Sequence, residues 1–165
     1  MRILLASVMC VGLLLLAGCT SFRPLYGKGP NGEGVTSSLA AVAVAEQHTR
    51  SAQLVRNELL NSMGSATARF SLKMVSTEKT IDVSTLSSSN LHRKRFNLAV
   101  HYELVNIASG AVANSGDSFS NVSFDTVRQP VADLQAANNA MERAAQEIGQ
   151  DLRQRVAAYF ADHPV

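Results

Sequence analysis

Tryptophan is absent from this 165-residue chain, aromatic residues make up 5% of it and charged residues only 17%. So few large rings, with many alanines beside them, argue for close packing rather than for a roomy, aromatic-lined ligand pocket. A net charge of +2 with no interleaving of basic and aromatic residues excludes a nucleic-acid binder. Catalytic signatures are missing too. There is no Gly-x-Ser-x-Gly elbow, phosphate-cradling glycine loop or paired-carboxylate motif, and His48, His92, His101 and His163 are scattered without metal-ligand spacing. The chain is expected to be neither an enzyme nor a metal protein, and to carry no cofactor. Long apolar runs are also scarce: the one candidate, Ile3 to Leu16, is interrupted only by Ser7 and Gly12. It falls short of the roughly 20 residues that a membrane-spanning helix needs.

That run is informative for what surrounds it. Arg2 precedes it and Leu16-Ala17-Gly18-Cys19 closes it, which is the layout of an export signal: positive start, apolar middle, small residues at the cut. The cysteine sets it apart from an ordinary signal, because only a thiolate at that place can accept a diacylglyceryl group. The stretch resembles the bacterial lipoprotein signal, which makes residues 1–18 the signal peptide and Cys19 the lipid-bearing first residue of the mature chain. Each buried methylene is worth about 0.8 kcal/mol, so two or more acyl chains hold a protein on a bilayer where one does not. Thr20, in place of an aspartate, implies delivery to the outer membrane in lipoproteins of this kind. Without Arg2 the mature chain is nearly neutral, and with Cys10 removed and Cys19 acylated no disulfide is available to it.

Residues 19–38 hold Pro24, Gly27, Gly29, Pro30, Gly32 and Gly34 and read as a flexible tether. Within them Phe22, Arg23, Pro24, Leu25, Tyr26 and Gly27 form an apolar island. Beyond, residues 39–165 read as one α+β domain. Leu39 to Ala45 alternates weakly and is expected as a first strand. From Thr49 the period becomes helical, with Leu54, Val55, Leu59 and Met63 on one face and Gly64 as the expected C-cap. Ala68 to Ser76 alternates with Phe70, Leu72 and Met74 against Arg69, Ser71 and Lys73, and a polar loop is expected from Ser84 to Asn90. A longer strand follows from Arg93 to Val105. Ala108-Ser109-Gly110 is a hairpin turn, and Ala111 to Phe124 a partner strand with a bulge expected near Gly116. Pro130 opens a helix of about 30 residues whose stripe runs from Leu134 to Tyr159. The sum is a two-layer sandwich, two helices on one face of a mixed four-stranded sheet.

Cys19 to Gly27 resembles the start of the lipopolysaccharide-assembly lipoproteins of the LptE family, in its alphaproteobacterial branch, with Thr20-Ser21 replacing a single glycine. The order of elements resembles that family as well. The resemblance implies an outer-membrane lipoprotein, anchored on the periplasmic side. It would plug and help to assemble the large β-barrel that delivers lipopolysaccharide to the outer leaflet. Phe22, Arg23, Pro24, Leu25 and Tyr26 would then meet the barrel rim. Arg93, Lys94 and Arg95, with Arg69 and Lys73 on a neighbouring strand, are candidate contacts to lipopolysaccharide or barrel, since guanidinium forks suit phosphates and carboxylates. The alternative reading is a lipid-binding accessory lipoprotein of an envelope transporter.

Overall fold

The structure, a computed structural model, describes residues 34–64, 67–85 and 92–163. The signal peptide, Cys19 and Phe22 to Tyr26 lie outside them. In chain order the elements are α1 (Val35–Ala40), β1 (Val42–Val44), α2 (Arg50–Leu60), β2 (Phe70–Thr85), β3 (His92–Asn106), β4 (Val112–Thr126) and α3 (Pro130–Asp162). The strands form one mixed sheet in the order β1-β2-β3-β4, with β1 parallel to β2 and the other pairs antiparallel. All helices pack on one face, so the expected α+β two-layer sandwich is what the chain adopts.

Alternation builds the core. Phe96, Leu98, Val100, Tyr102 and Leu104 of β3 point toward the helices and are buried, as are Phe70, Leu72 and Met74 of β2 and Val122 and Phe124 of β4. They meet Ala140, Ala144, Ala145, Ile148, Leu152, Val156 and Phe160 of α3. At about 1.5 Å per helical residue and 3.3 Å per strand residue, the 33-residue α3 and the 15-residue β4 are each about 50 Å long. Helix and strand are therefore matched in length, with the buried residues of α3 running from Ala140 to Phe160. Small residues set the approach of α2 to α3: a Cβ at Gly149 would stand 2.6 Å from Cγ of Glu58.

Several boundaries differ from the sequence reading, each for a physical reason. The last part of the expected tether is helical from Val35, and Ser38 and Leu39 are buried, so α1 takes the place of the first half of the expected strand. Thr49 caps α2 as anticipated by the change of period, its Oγ1 accepting from the Ala52 amide at 3.3 Å. Gly64 is not the C-cap. Asn61 has that place, while Gly64, at φ +112°, donates its amide to the Val42 carbonyl. The extra residue of β4 is Ala113, between the Leu104 and Val105 pairs, rather than one near Gly116. Gly116 instead lies opposite Tyr102, where a Cβ would come within 3.3 Å of the phenol ring and oxygen.

The largest difference is β2, which runs nine residues past the expected end at Ser76. Helix α2 covers only its first half. Glu78, Thr80 and Asp82 on the helix side are as exposed as Thr77 and Lys79 on the other, so no apolar alternation marks this part of the strand.

A polar seam fastens α3 to β4. The Ser118 hydroxyl donates to Asp151 at 2.6 Å, Arg155 Nε donates to the same carboxylate oxygen at 2.7 Å, and Ser120 donates to Glu147. Ser118 is 2% exposed. Asp151→Ala strands a buried hydroxyl and should cost about 1–3 kcal/mol. A thermal melt reads this, with exposed Glu142→Ala on the same helix as the control. Equal melting temperatures for the two variants would rule out the seam as a source of stability.

Candidate functional site

With the helices on one side, the odd-numbered residues of β3 and β4 and those of β2 up to Ile81 form an open sheet face. Its rows follow from the register. Lys73, Glu103 and Ser115 lie side by side, then Val75, His101 and Asp117, then Thr77, Ala99 and Phe119. Lys79, Asn97 and Asn121 come next, then Ile81, Arg95 and Ser123, and Arg93 opposite Asp125 closes the face.

The sequence-predicted cations are only partly brought together. Arg93 and Arg95 share this face, as their parity requires. Lys94 is on the other side, where Nζ lies 3.6 Å from Asp82. Lys73 is on the open face of the neighbouring β2 but at its opposite end, and Arg69 immediately precedes that strand. Lys73 pairs in register with Glu103, ten residues from Arg93 along β3, or about 33 Å at 3.3 Å per residue. Arg93 is itself engaged: Nε and Nη2 fork onto Asp125 at 2.9 and 3.2 Å. The hydrogen bond from Arg93 holds the Asp125 carboxyl below its usual range and raises the guanidinium's own pKa.

Two features escape the sequence reading. Lys79, on the unforeseen half of β2, is the diagonal neighbour of Arg95, and neither has an ionic partner among the described residues. Diagonal neighbours stand about 7–8 Å apart, so one phosphate or carboxylate group can bridge them. Beside them Asn97 Oδ1 is buried without a hydrogen-bond partner. The second feature is apolar: Phe119 is 76% exposed and Val75 69%, on adjacent rows across Ala99. Phe119 sits in the opposite frame from buried Val122 and Phe124, which is the one signal in the sequence that could have assigned it to the outside.

His101 Nδ1 lies 2.8 Å from Asp117, and His163 stacks on Tyr159 with ring centroids 4.5 Å apart. The Tyr102 hydroxyl donates to Asn114 at 2.8 Å, and burial pushes its phenol up. Among the described residues no helix is long and apolar enough to cross a membrane.

No family model matches the chain, and no curated protein does. Solved structures do. A candidate lipoprotein from Caulobacter crescentus superposes with a TM-score of 0.66 at 22% identity, over 77% of this chain and 96% of that one. A minor lipoprotein from Acinetobacter baumannii gives 0.54 at 9% identity, over 71% and 88%. At these identities the likeness is one of fold: the two-layer sandwich is an architecture that bacterial lipoproteins use.

Proposed function

We propose that this protein is an outer-membrane lipoprotein that seats its open sheet face inside the lipopolysaccharide-export β-barrel, plugging it, helping it to assemble and supporting delivery of lipopolysaccharide to the outer leaflet. The observation that carries the reading is the face itself. It spans three strands, is uncovered by any helix, and its β3 and β4 strands are 15 residues each, about 50 Å at 3.3 Å per residue. The apolar band of an outer-membrane barrel is about 25 Å tall and its lumen is polar, so a face of this length and mixed character can line the lumen from end to end. Val75 and Phe119 supply a central apolar anchor of the kind that dominates interface energetics. Lys79 and Arg95 offer cations to the phosphates of lipopolysaccharide or to lumenal carboxylates. The anchor sequence supports the same reading, since Cys19 and the segment Phe22 to Gly27 resemble the family that does this work.

The test is purification from native envelopes in mild detergent through a C-terminal tag. The expected result is a large β-barrel protein recovered in stoichiometric amount. Recovery alone, or with inner-membrane exporter subunits, overturns the reading in favour of an accessory lipoprotein. Phe119→Glu should then reduce barrel recovery by tenfold or more while leaving the melting temperature within about 1–2 °C, because substitutions of exposed side chains are usually near neutral for folding.

A further inference from the structure

Strand β4 ends the sheet, and its outer edge has no strand beside it among the described residues. Which of its backbone groups look outward follows from the ladder. The Ala45 amide donates to the Leu72 carbonyl and the Ile107 amide to that of Arg69, both at 3.0 Å. Even-numbered residues at the start of β2 therefore turn their backbone groups away from β3, and the even-numbered residues of β3 opposite them turn theirs toward β4. In β4 the even-numbered residues answer them, which leaves the N–H and C=O groups of Ser115, Asp117, Phe119, Asn121 and Ser123 pointing away from the sheet. One of these groups shows its direction directly: the Ser123 carbonyl accepts from Arg143 Nη2, on α3, at 3.2 Å.

Long free edges are normally guarded by lysine, proline or a bulge. The free part of β2, on the other side of the sheet, carries Glu78, Lys79 and Asp82. Val112–Thr126 holds no lysine, arginine or proline, and its bulge, at Ala113, is confined to its beginning. Its charges are two aspartates. Asp125 gives both carboxylate oxygens to Arg93, whereas Asp117 meets His101 through Oδ1 alone and its side chain remains 80% exposed. Phe119, two residues on, is 76% exposed.

We propose that the edge of β4 accepts an extended segment of a partner protein as a fifth strand, the segment setting an apolar β-branched residue beside Phe119 and, two positions along, a lysine or arginine beside Asp117. Backbone hydrogen bonds supply affinity in such strand addition, and alternate side chains supply specificity. Opposite charges and aromatic with β-branched residues are the favourable cross-strand pairs. A second copy of this chain is the other natural donor of a strand, and α3 argues against it. The bonds from Ser118 to Asp151 and from Ser120 to Glu147 set that stretch of α3 over Phe119. Two copies joined about Phe119 would bring their α3 helices together antiparallel, with Glu147 of one toward Asp151 of the other and Arg143 toward Arg155. Like charges would meet along the seam. This inference concerns the edge of β4, whereas the barrel reading uses the open face, and either can fail without the other.

The probe is the end-blocked peptide Thr-Val-Thr-Ile-Thr-Lys-Thr-Val, written to pair antiparallel with Ile beside Phe119 and Lys beside Asp117. It is added to the full-length lipidated protein in mild detergent, and amide exchange is followed residue by residue by NMR. Before addition, Ser118 and Ser120 should exchange slowly and Asp117, Phe119 and Asn121 fast. With saturating peptide those three should slow by about tenfold or more. The same peptide N-methylated at Ile and Lys should leave them fast. Asp117→Lys, an exposed substitution, should weaken binding about tenfold and favour instead a peptide with Glu in place of Lys. Binding that leaves the three amides fast would put the peptide on the open face. Amides already slow without peptide, in a protein that sediments as a dimer, would give the edge to a second copy. No binding at about 1 mM peptide, or an unchanged preference in Asp117→Lys, would remove the basic partner strand. Each of these results overturns the proposal.

Discussion

Leu152→Ala should lower the melting temperature of this protein by about 10 °C, corresponding to a loss of about 3 kcal/mol. Leu152 is fully buried at the middle of the interface between α3 and the sheet, among Ile148, Val156 and the β3 leucines. Removing its three distal carbons forfeits their transfer free energy and leaves a cavity. Long, straight elements on both sides of the site cannot collapse far into it, which places the cost in the middle of the observed range for such truncations rather than at its lower end. The informative control is Leu134→Ala on the same helix. Leu134 is 64% exposed, and its truncation should change stability by less than about 0.5 kcal/mol. Two leucines on one predicted stripe would thus differ severalfold, measurable by denaturant titration at unchanged m-value. A loss below about 1 kcal/mol for Leu152→Ala would mean that α3 is not held on the sheet as described.

The contrast between these leucines shows what periodicity can and cannot convey. A stripe of period 3.6 runs the whole length of α3 from Leu134 to Tyr159, and over most of that length its residues are buried as read. At the N-terminal end the helix extends beyond the sheet it covers, so Val131 and Leu134 continue the pattern while facing solvent. Alternation identified β3 almost residue for residue because one face of that strand is covered by α3. The same signal failed for the far half of β2, where neither face is covered and Thr, Glu, Lys and Asp occupy both sides. A pattern records the burial of an element, not its existence. The strand is present because β3 pairs with it as far as His92.

The candidate site was legible to a similar depth. Parity assigned Arg93 and Arg95 to one face, whereas Lys94, read as a contact beside them, lies on the other face with Asp82. What it could not supply was the register between strands, which puts Lys73 beside Glu103 and gives Arg93 to Asp125. Register is set by the turns and by the bulges at Val83 and Ala113, and a shift of one residue would have reversed every assignment on the face. The combination of unpaired Lys79 and Arg95 with exposed Val75 and Phe119 is a product of that register, and no linear motif announces it.

Replacing Cys19 with Ala should have the largest effect on the proposed function while leaving the fold of the domain untouched. The acceptor thiol disappears, so labelling with radioactive palmitate should fall to background, and the amount recovered in the outer-membrane fraction should drop by tenfold or more. The size of the effect follows from the anchor: one myristoyl chain binds bilayers with a constant of only about 10⁴ M⁻¹, and each further chain adds about 0.8 kcal/mol for every methylene buried. Loss of all chains therefore removes stable attachment rather than weakening it. Residue 19 belongs to the segment read as a tether, ahead of the described domain that begins at Gly34, so the melting temperature of the variant is expected to match that of the parent. This separation makes the experiment decisive for the barrel reading. If the lipid serves only to hold the domain near its barrel, overproduced unlipidated protein should still co-purify with the barrel at reduced yield, and adding Phe119→Glu should abolish what remains. Undiminished palmitate labelling, or unchanged outer-membrane recovery, would show that Cys19 is not the anchor and would remove the premise on which the export reading begins.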